Sequence, residues 1–271
     1  MTIKKMLTFL AAALLLLLTA LGQPQTTQAD TQSAQIQKIQ KAGVLKVGVK
    51  QDVPNFGYYS AETGKYEGME IDIARKIAKS LDVKIEFTPV TAQTREAVMD
   101  NGQVDLVIAT YTITPERQAS YSFSTPYYTD EVGFLVNKSS GISNIADLNG
   151  KTIGVSQGST TKVAIEEYGK AHNLSFKFVQ LGSYPELAVS LYAKRIDAFS
   201  VDKSILSGYR SEKTKILSGG FNTQLYGIAT KKSNTEVTSY INNLINKWSK
   251  DGSLQKIYKK YDLKPATTDN N

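Results

Sequence analysis

The chain has 271 residues, 41% hydrophobic and 21% charged, with a formal charge of +7, one histidine and no cysteine. That is enough chain for one large folded domain or two modest ones, and it excludes disulfides and thiolate metal sites. Basic residues are spread along the chain rather than clustered with aromatics, which argues against nucleic-acid binding.

The first segment has the layout of an export signal. Lys4 and Lys5 precede an almost wholly apolar run from Leu7 to Leu18, and Thr27-Gln28-Ala29 places small residues where a signal peptidase cuts. The run falls short of the roughly 20 residues that span a bilayer. A signal peptide over 1–29 is expected, with delivery to a periplasm or the cell exterior. Leu21-Gly22 stands where a lipid-anchored product carries its cysteine, so no such anchor is expected. Gln, Thr and Ser then dominate without apolar periodicity, and a linker is expected over 30–39.

Strand and helix patterns alternate from there. Val44 to Val49 reads as a strand. Met69 to Leu81 reads as an amphipathic helix, with Ile73, Ile77 and Leu81 on one face and Glu70 and Asp72 in its first turn. A strand over Val83 to Phe87, a helix around Thr94 to Asn101 and a strand over Val104 to Ala109 follow. The alternation predicts a mostly parallel sheet flanked by helices. The pattern then repeats. Val47-Gly48-Val49 is matched by Ile153-Gly154-Val155. Asn101-Gly102-Gln103-Val104-Asp105-Leu106 is matched by Ala193-Lys194-Arg195-Ile196-Asp197-Ala198. Helices are expected over Thr160 to His172 and Tyr184 to Ala193. Leu225 to Thr230 reads as one further strand, followed by helices over Glu236 to Ser249 and Ser253 to Tyr261.

Catalytic sets are hard to assemble. His172, the one histidine, sits at the end of a predicted helix and reads as a surface residue. Without it there is no Ser-His-Asp triad, and no cluster has metal-ligand spacing. Gly158-Ser159-Thr160-Thr161-Lys162 lacks the Gly-Lys-Ser/Thr order of a phosphate loop. No cofactor is expected.

What remains is a set of polar strand ends, where ligands of open α/β sheets sit. They are Lys50-Gln51-Asp52, Thr110-Tyr111-Thr112, Ser156 to Thr161, and Val201-Asp202-Lys203. In Thr114-Pro115-Glu116-Arg117, Thr114 suits a helix cap and Pro115 the first helical position. Arg117 there is either a carboxylate clamp or a surface residue. Gly158 to Thr161 is either an anion-binding helix start or a simple cap.

Several motifs together carry a family resemblance. They are Tyr66-Glu67-Gly68-Met69-Glu70-Ile71-Asp72-Ile73-Ala74, Asp105-Leu106 leading to Thr114-Pro115-Glu116-Arg117, Phe123-Ser124-Thr125-Pro126-Tyr127-Tyr128, Asp147-Leu148-Asn149-Gly150-Lys151, and Asp197-Ala198-Phe199 to Asp202. From about Lys41 to Leu263 the chain resembles the family 3 solute-binding proteins of polar amino-acid ABC importers. The runs Ile108 to Arg117 and Ala193 to Leu206 are most similar to the aspartate/glutamate-binding branch that includes the cell-binding-factor proteins.

The resemblance implies a two-lobed, type II periplasmic-binding-protein fold with two hinge crossovers. Lobe 1 is expected over 40–130 and 227–264, lobe 2 over 131–226, and a loose tail over 265–271. It implies a non-enzymatic monomer that hands an amino acid to a membrane permease with its ATPase. Arg117 is expected to clamp the α-carboxylate with Thr112, Thr160 and Thr161, Asp202 to take the α-ammonium, and Thr110 to be a further ligand-binding residue. Lys50 and Arg95 are expected to face a side-chain carboxylate, with Tyr184 beside them. Three cations against one carboxylate favour glutamate or aspartate over glutamine. Phe56 is expected either to cover the ligand's aliphatic part or to pack in the core. A glutamine binder is the alternative. A dehydratase on the same scaffold, resembling cyclohexadienyl dehydratases, and an adhesin are further readings.

Overall fold

The computed structural model describes residues 33–266. The expected signal peptide, the start of the expected linker and the last residues of the expected tail lie outside that range. Helix α1 (Ala34–Ala42) leads into β1 (Val44–Val49). A small antiparallel sheet follows, made of β2 (Asp52–Val53), β3 (Gly57–Ser60) and β4 (Lys65–Glu67). Then come α2 (Met69–Ser80), β5 (Lys84–Pro89), α3 (Arg95–Asp100), β6 (Leu106–Ile108), α4 (Pro115–Ser120) and β7 (Tyr121–Phe123). The chain continues through β8 (Tyr128–Asn137), short 3-10 turns, β9 (Thr152–Ser156), α5 (Thr161–His172), β10 (Lys177–Leu181), α6 (Tyr184–Tyr192), β11 (Ala198–Asp202), α7 (Lys203–Ser207), β12 (Thr214–Ile216) and β13 (Phe221–Tyr226). β14 (Ala229–Lys231), α8 (Thr235–Lys250) and α9 (Ser253–Lys260) complete it.

Residues 34–39 correct the expected linker. They form the first turns of α1, and Ile36 and Ile39, three residues apart, are buried. Gln and Lys fill the rest of that helix between Ala34 and Ala42, so its large apolar residues are only two. Ala266, expected in a loose tail, donates from its backbone to Thr129 O at 2.8 Å.

Two larger sheets organise the molecule. One runs β5-β1-β6-β14-β7, the other β10-β9-β11-β8-β12, with β13 also paired to β8. Each begins at one edge with a parallel trio, β5-β1-β6 and β10-β9-β11, and continues on the other side with antiparallel strands. The internal similarity read in the sequence has an atomic counterpart. Asp105 Oδ2 accepts from Lys46 N at 2.8 Å and Asp105 N donates to Lys46 O at 2.8 Å. Asp197 makes the same pair with Thr152, at 2.8 and 2.9 Å. In each sheet, one aspartate pins the approach of the third parallel strand to the first residues of the central one.

The chain passes from the first sheet to the second between Phe123 and Tyr128, and returns between Tyr226 and Ala229. These crossings bond to each other: Ser124 N donates to Ile228 O and Tyr127 N to Tyr226 O, both at 2.9 Å. The single strand expected over Leu225 to Thr230 is therefore two strands in different sheets. The break falls at Gly227, whose N donates to Tyr111 O at 3.0 Å. A Cβ on Gly227 would stand 2.8 Å from the Ile113 side chain, so only glycine lets the chain turn there without displacing it. Helix α8 packs on β14, β7 and α1, and α9 on α2, so the C-terminal helices return to the first sheet. Among the described residues no helix is long and apolar enough to cross a membrane.

Candidate functional site

The carboxyl ends of β1, β6, β9 and β11 deliver the polar residues singled out above. Lys50 directly follows β1 and is 1% exposed. Its Nζ lies 3.0 Å from Asp52 Oδ1 and 4.6 Å from the centre of the Tyr184 ring. Burial pushes the Lys50 ammonium down in pKa; Asp52 opposes this, and Arg95 adds to it. A solvated strand end is thus excluded for Lys50. An exposed helix position is likewise excluded for Arg95, which opens α3 and is 2% exposed.

Arg95 and Arg117 are both held by backbone carbonyls. Arg95 Nη1 donates to Ala109 O at 3.0 Å and to Thr110 O at 3.3 Å, and its Nη2 donates to Gly158 O at 3.3 Å. Its Nε is buried without a partner. Arg117 Nη1 donates to Thr112 O at 2.8 Å and Nη2 to Gly158 O at 3.0 Å. Both guanidiniums lie against the Tyr111 ring, at 4.0 and 4.6 Å from its centre. Thr114 also caps α4, its hydroxyl accepting from Arg117 N at 3.3 Å. The cap and the inward-facing Arg117 therefore coexist. Burial lowers the Arg117 pKa to about 10, with Arg95 adding to the effect, so the group stays charged at neutral pH.

Asp202 ends β11 and is 4% exposed. Tyr226 donates its hydroxyl to Asp202 Oδ2. Burial raises the Asp202 carboxyl to about 6, while Tyr226, Arg95 and Arg117 pull it down. The same Tyr226 hydroxyl lies 3.5 Å from Asp130 Oδ2. Asp130 is itself buried and is raised to about 7 by burial and by the charge of Asp202.

Thr110 occupies left-handed backbone, φ +44°, which is rare for a β-branched residue. Its N–H donates to Glu70 Oε1 at 2.6 Å, and its hydroxyl is buried without a partner. On the other side of the site, Thr160 donates to Gln224 Oε1 at 2.8 Å instead of capping α5, and Thr161 is 1% exposed. Thr112, Arg117, Thr160 and Gln224 share the walls of one surface groove. Tyr184 opens α6, behind a Ser183–Glu186 capping box, and is buried. Lys50, Arg95, Thr110, Tyr184 and Asp202, all buried, thus converge with the half-buried Arg117 as one polar group. Phe56 is core: it is buried and meets Tyr128 and Tyr226 edge-on at 5.3 and 6.0 Å. His172 lies at the end of α5, stacked on Tyr168. No cluster of three or more His, Asp or Glu with metal-site geometry occurs among the described residues.

Sequence reading missed Glu70, Tyr111, Asp130 and Tyr226. Glu70 left a trace. It shares the face of Ile73 and Ile77 at i, i+3 and i+7, so an acid stands on the buried stripe of α2. Tyr111 stands between Thr110 and Thr112 at a polar strand end, but nothing local in sequence marks its ring as the platform for Arg95 and Arg117.

Comparison with known proteins gives a coherent picture. The model of "bacterial extracellular solute-binding proteins, family 3" matches residues 45–264. A glutamine-binding protein of Geobacillus stearothermophilus is 34% identical over 228 residues, 82% of this chain and 84% of the relative. An ABC transporter glutamine-binding protein of Bacillus subtilis is 36% identical over 79% of each chain. Among solved structures, an ancestral amino-acid-binding protein, described as a precursor of cyclohexadienyl dehydratase, aligns with TM-score 0.75 at 30% identity. It covers 83% of this chain and 98% of that structure. The architecture is the two-lobed type II binding-protein fold, with the buried polar group at the strand ends.

Proposed function

The chain belongs to the bacterial extracellular solute-binding proteins of family 3, and from that premise we propose that this amino-acid-binding protein of an ABC importer takes glutamate or aspartate between its lobes. The observation that carries the reading is the gathering of three cations, Lys50 and Arg95 buried and Arg117 half-buried, around one carboxylate, Asp202. Arg95 lowers the pKa of both Lys50 and Arg117, and Asp202 is the carboxylate that Arg95 and Arg117 favour in return. Buried like charges are relieved by an anion of matching shape, and a dicarboxylic amino acid offers two carboxylates and one ammonium.

In this reading Arg117, with Thr110, Thr112, Thr160 and Thr161, receives the α-carboxylate. Asp202 receives the ammonium. Lys50, Arg95 and Tyr184 line the side-chain carboxylate. Recognition groups come from both sides of the crossings, so binding favours closure. The lobes correspond to 40–130 with 227–264, and to 131–226. The protein is exported by its leader, acts as a monomer, catalyses nothing, and delivers its ligand to a permease driven by an ATPase.

A second reading, glutamine, rests on one observation: Asp52 stands 3.0 Å from Lys50 and neutralises it internally. The two glutamine-binding relatives point the same way. Calorimetric titration of the mature chain with glutamate, aspartate, glutamine and arginine decides between them. Tight binding of glutamate or aspartate, with glutamine at least about tenfold weaker, fits the differential expected from one desolvated charge. Glutamine binding alone overturns the acidic reading. Turnover of prephenate would revive the enzyme reading.

A further inference from the structure

Glu70 is fully buried, is absent from the recognition scheme above, and makes a poor stabiliser. Its Oε2 has no partner, and burial raises its pKa to about 7. An apolar side chain at such a place generally serves stability at least as well as a half-paired acid. What Glu70 does instead is hold two elements with one oxygen. Oε1 accepts from Thr110 N at 2.6 Å and from the Tyr127 hydroxyl at 2.5 Å. Thr110 is the residue in left-handed backbone, and its carbonyl, with that of Ala109, fixes Arg95 Nη1. Tyr127 lies on the first crossing, and its N–H donates to Tyr226 O on the second. The Tyr226 hydroxyl ends the chain of bonds on Asp202.

We propose that Glu70 is a positioning residue, holding the Thr110 turn in its unusual conformation and tying that turn, and Arg95 upon it, to the inter-lobe crossings. The proposal rests on the amino-acid-binding reading and assigns that site a residue outside the ligand's reach. A left-handed turn at threonine needs an external hold; at glycine it needs none. Glu70 and Thr110 are therefore energetically coupled in a direction a general folding role does not predict.

The test is a double-mutant cycle read by calorimetry, with L-glutamate as probe, or L-glutamine if only that binds the unmodified protein. Glu70→Leu is expected to weaken binding about tenfold or more, the size of a lost buried hydrogen bond to a charged group. In the Thr110→Gly background the same change is expected to cost at least about threefold less, because glycine keeps the turn unaided. Equal cost in both backgrounds overturns the proposal. If Glu70→Leu fails to fold, Glu70→Gln, with the same shape and a weaker acceptor, runs the same cycle, and an additive result again overturns it. Failure of the unmodified protein to bind either probe sinks the binding reading and the proposal with it. Binding with an additive cycle sinks the proposal alone.

Discussion

Arg95 and Arg117 share a single acceptor: each places an Nη2 on the carbonyl of Gly158, at 3.3 and 3.0 Å. The arginines come from α3 and α4, while Gly158 follows β9 in the other sheet. Both guanidiniums also lie against Tyr111. A planar, forked cation is needed to bridge two carbonyls and a ring face together, and lysine has no such fork.

Arg117→Ala is therefore expected to weaken amino-acid binding at least about 100-fold, the range found when one partner of a buried charge pair is truncated. Arg117→Lys is expected to rescue little of it. Calorimetric titration of both variants checks this, and near-normal affinity in the lysine variant contradicts the bidentate geometry.

Arg95 supplies the sharper test of specificity. Removing it takes away one cation and relieves the repulsion on Lys50. Arg95→Ala is expected to weaken glutamate at least about tenfold more than glutamine, since only the former loses a charge-charge partner. Equal losses for the two ligands remove the charge argument.

Affinity and stability are expected to respond to pH with opposite signs. Asp202 and Asp130 are raised by burial from an ordinary 3.8 to about 6 and about 7. Raised acids bind more protons in the folded than in the unfolded chain between about pH 4 and pH 7. The contribution of this pair to ligand-free stability is fully present below that window and is lost as pH rises through it. The ligand's ammonium, however, needs Asp202 ionised, so affinity rises as pH climbs past about 6. Melting temperature without ligand and Kd with ligand, both measured from pH 4.5 to 7.5, check the two signs. A Kd that is flat across the range contradicts the role given to Asp202.

Gly158 is expected to tolerate no side chain. Its φ is +73°, and a Cβ there would stand 2.7 Å from Ala92 O and from Gln93 Cα across the cleft. Both are backbone atoms and neither yields cheaply. Gly158→Ala is expected to weaken binding roughly tenfold or more, the order of 1–3 kcal/mol of local strain. Ligand should then fail to contract the radius of gyration in small-angle scattering. Normal contraction with normal affinity removes Gly158 from the closing contact.

Much of this molecule can be read from local pattern. The 3.6-residue period of α2, the β1 strand and the cap at Thr114 depend on neighbours a few residues away, and those neighbours are present in the sequence. The doubled Asp105 and Asp197 motif is legible for the same reason: each aspartate ends one βα unit in the same way. Position at polar strand ends and at a helix start likewise made Lys50, Asp202 and Arg117 candidates, while Arg95 entered only through the family resemblance.

Contacts across long separations had to wait for the folded chain. Nothing local in Leu225 to Thr230 marks Gly227 as a passage between sheets, because Tyr111 and Ile113, which force the turn, lie over a hundred residues away. Nor does the charge count of Lys50, Arg95, Arg117 and Asp202 reveal that the half-buried Asp52 and the buried Glu70 and Asp130 stand around them. Charge and burial act through space, and sequence records distance only along the backbone. Residue types and periods therefore point to two successive α/β units with polar strand ends, while the partners that set each group's proton and orientation are assigned by the packing of one sheet's strand ends against the other's.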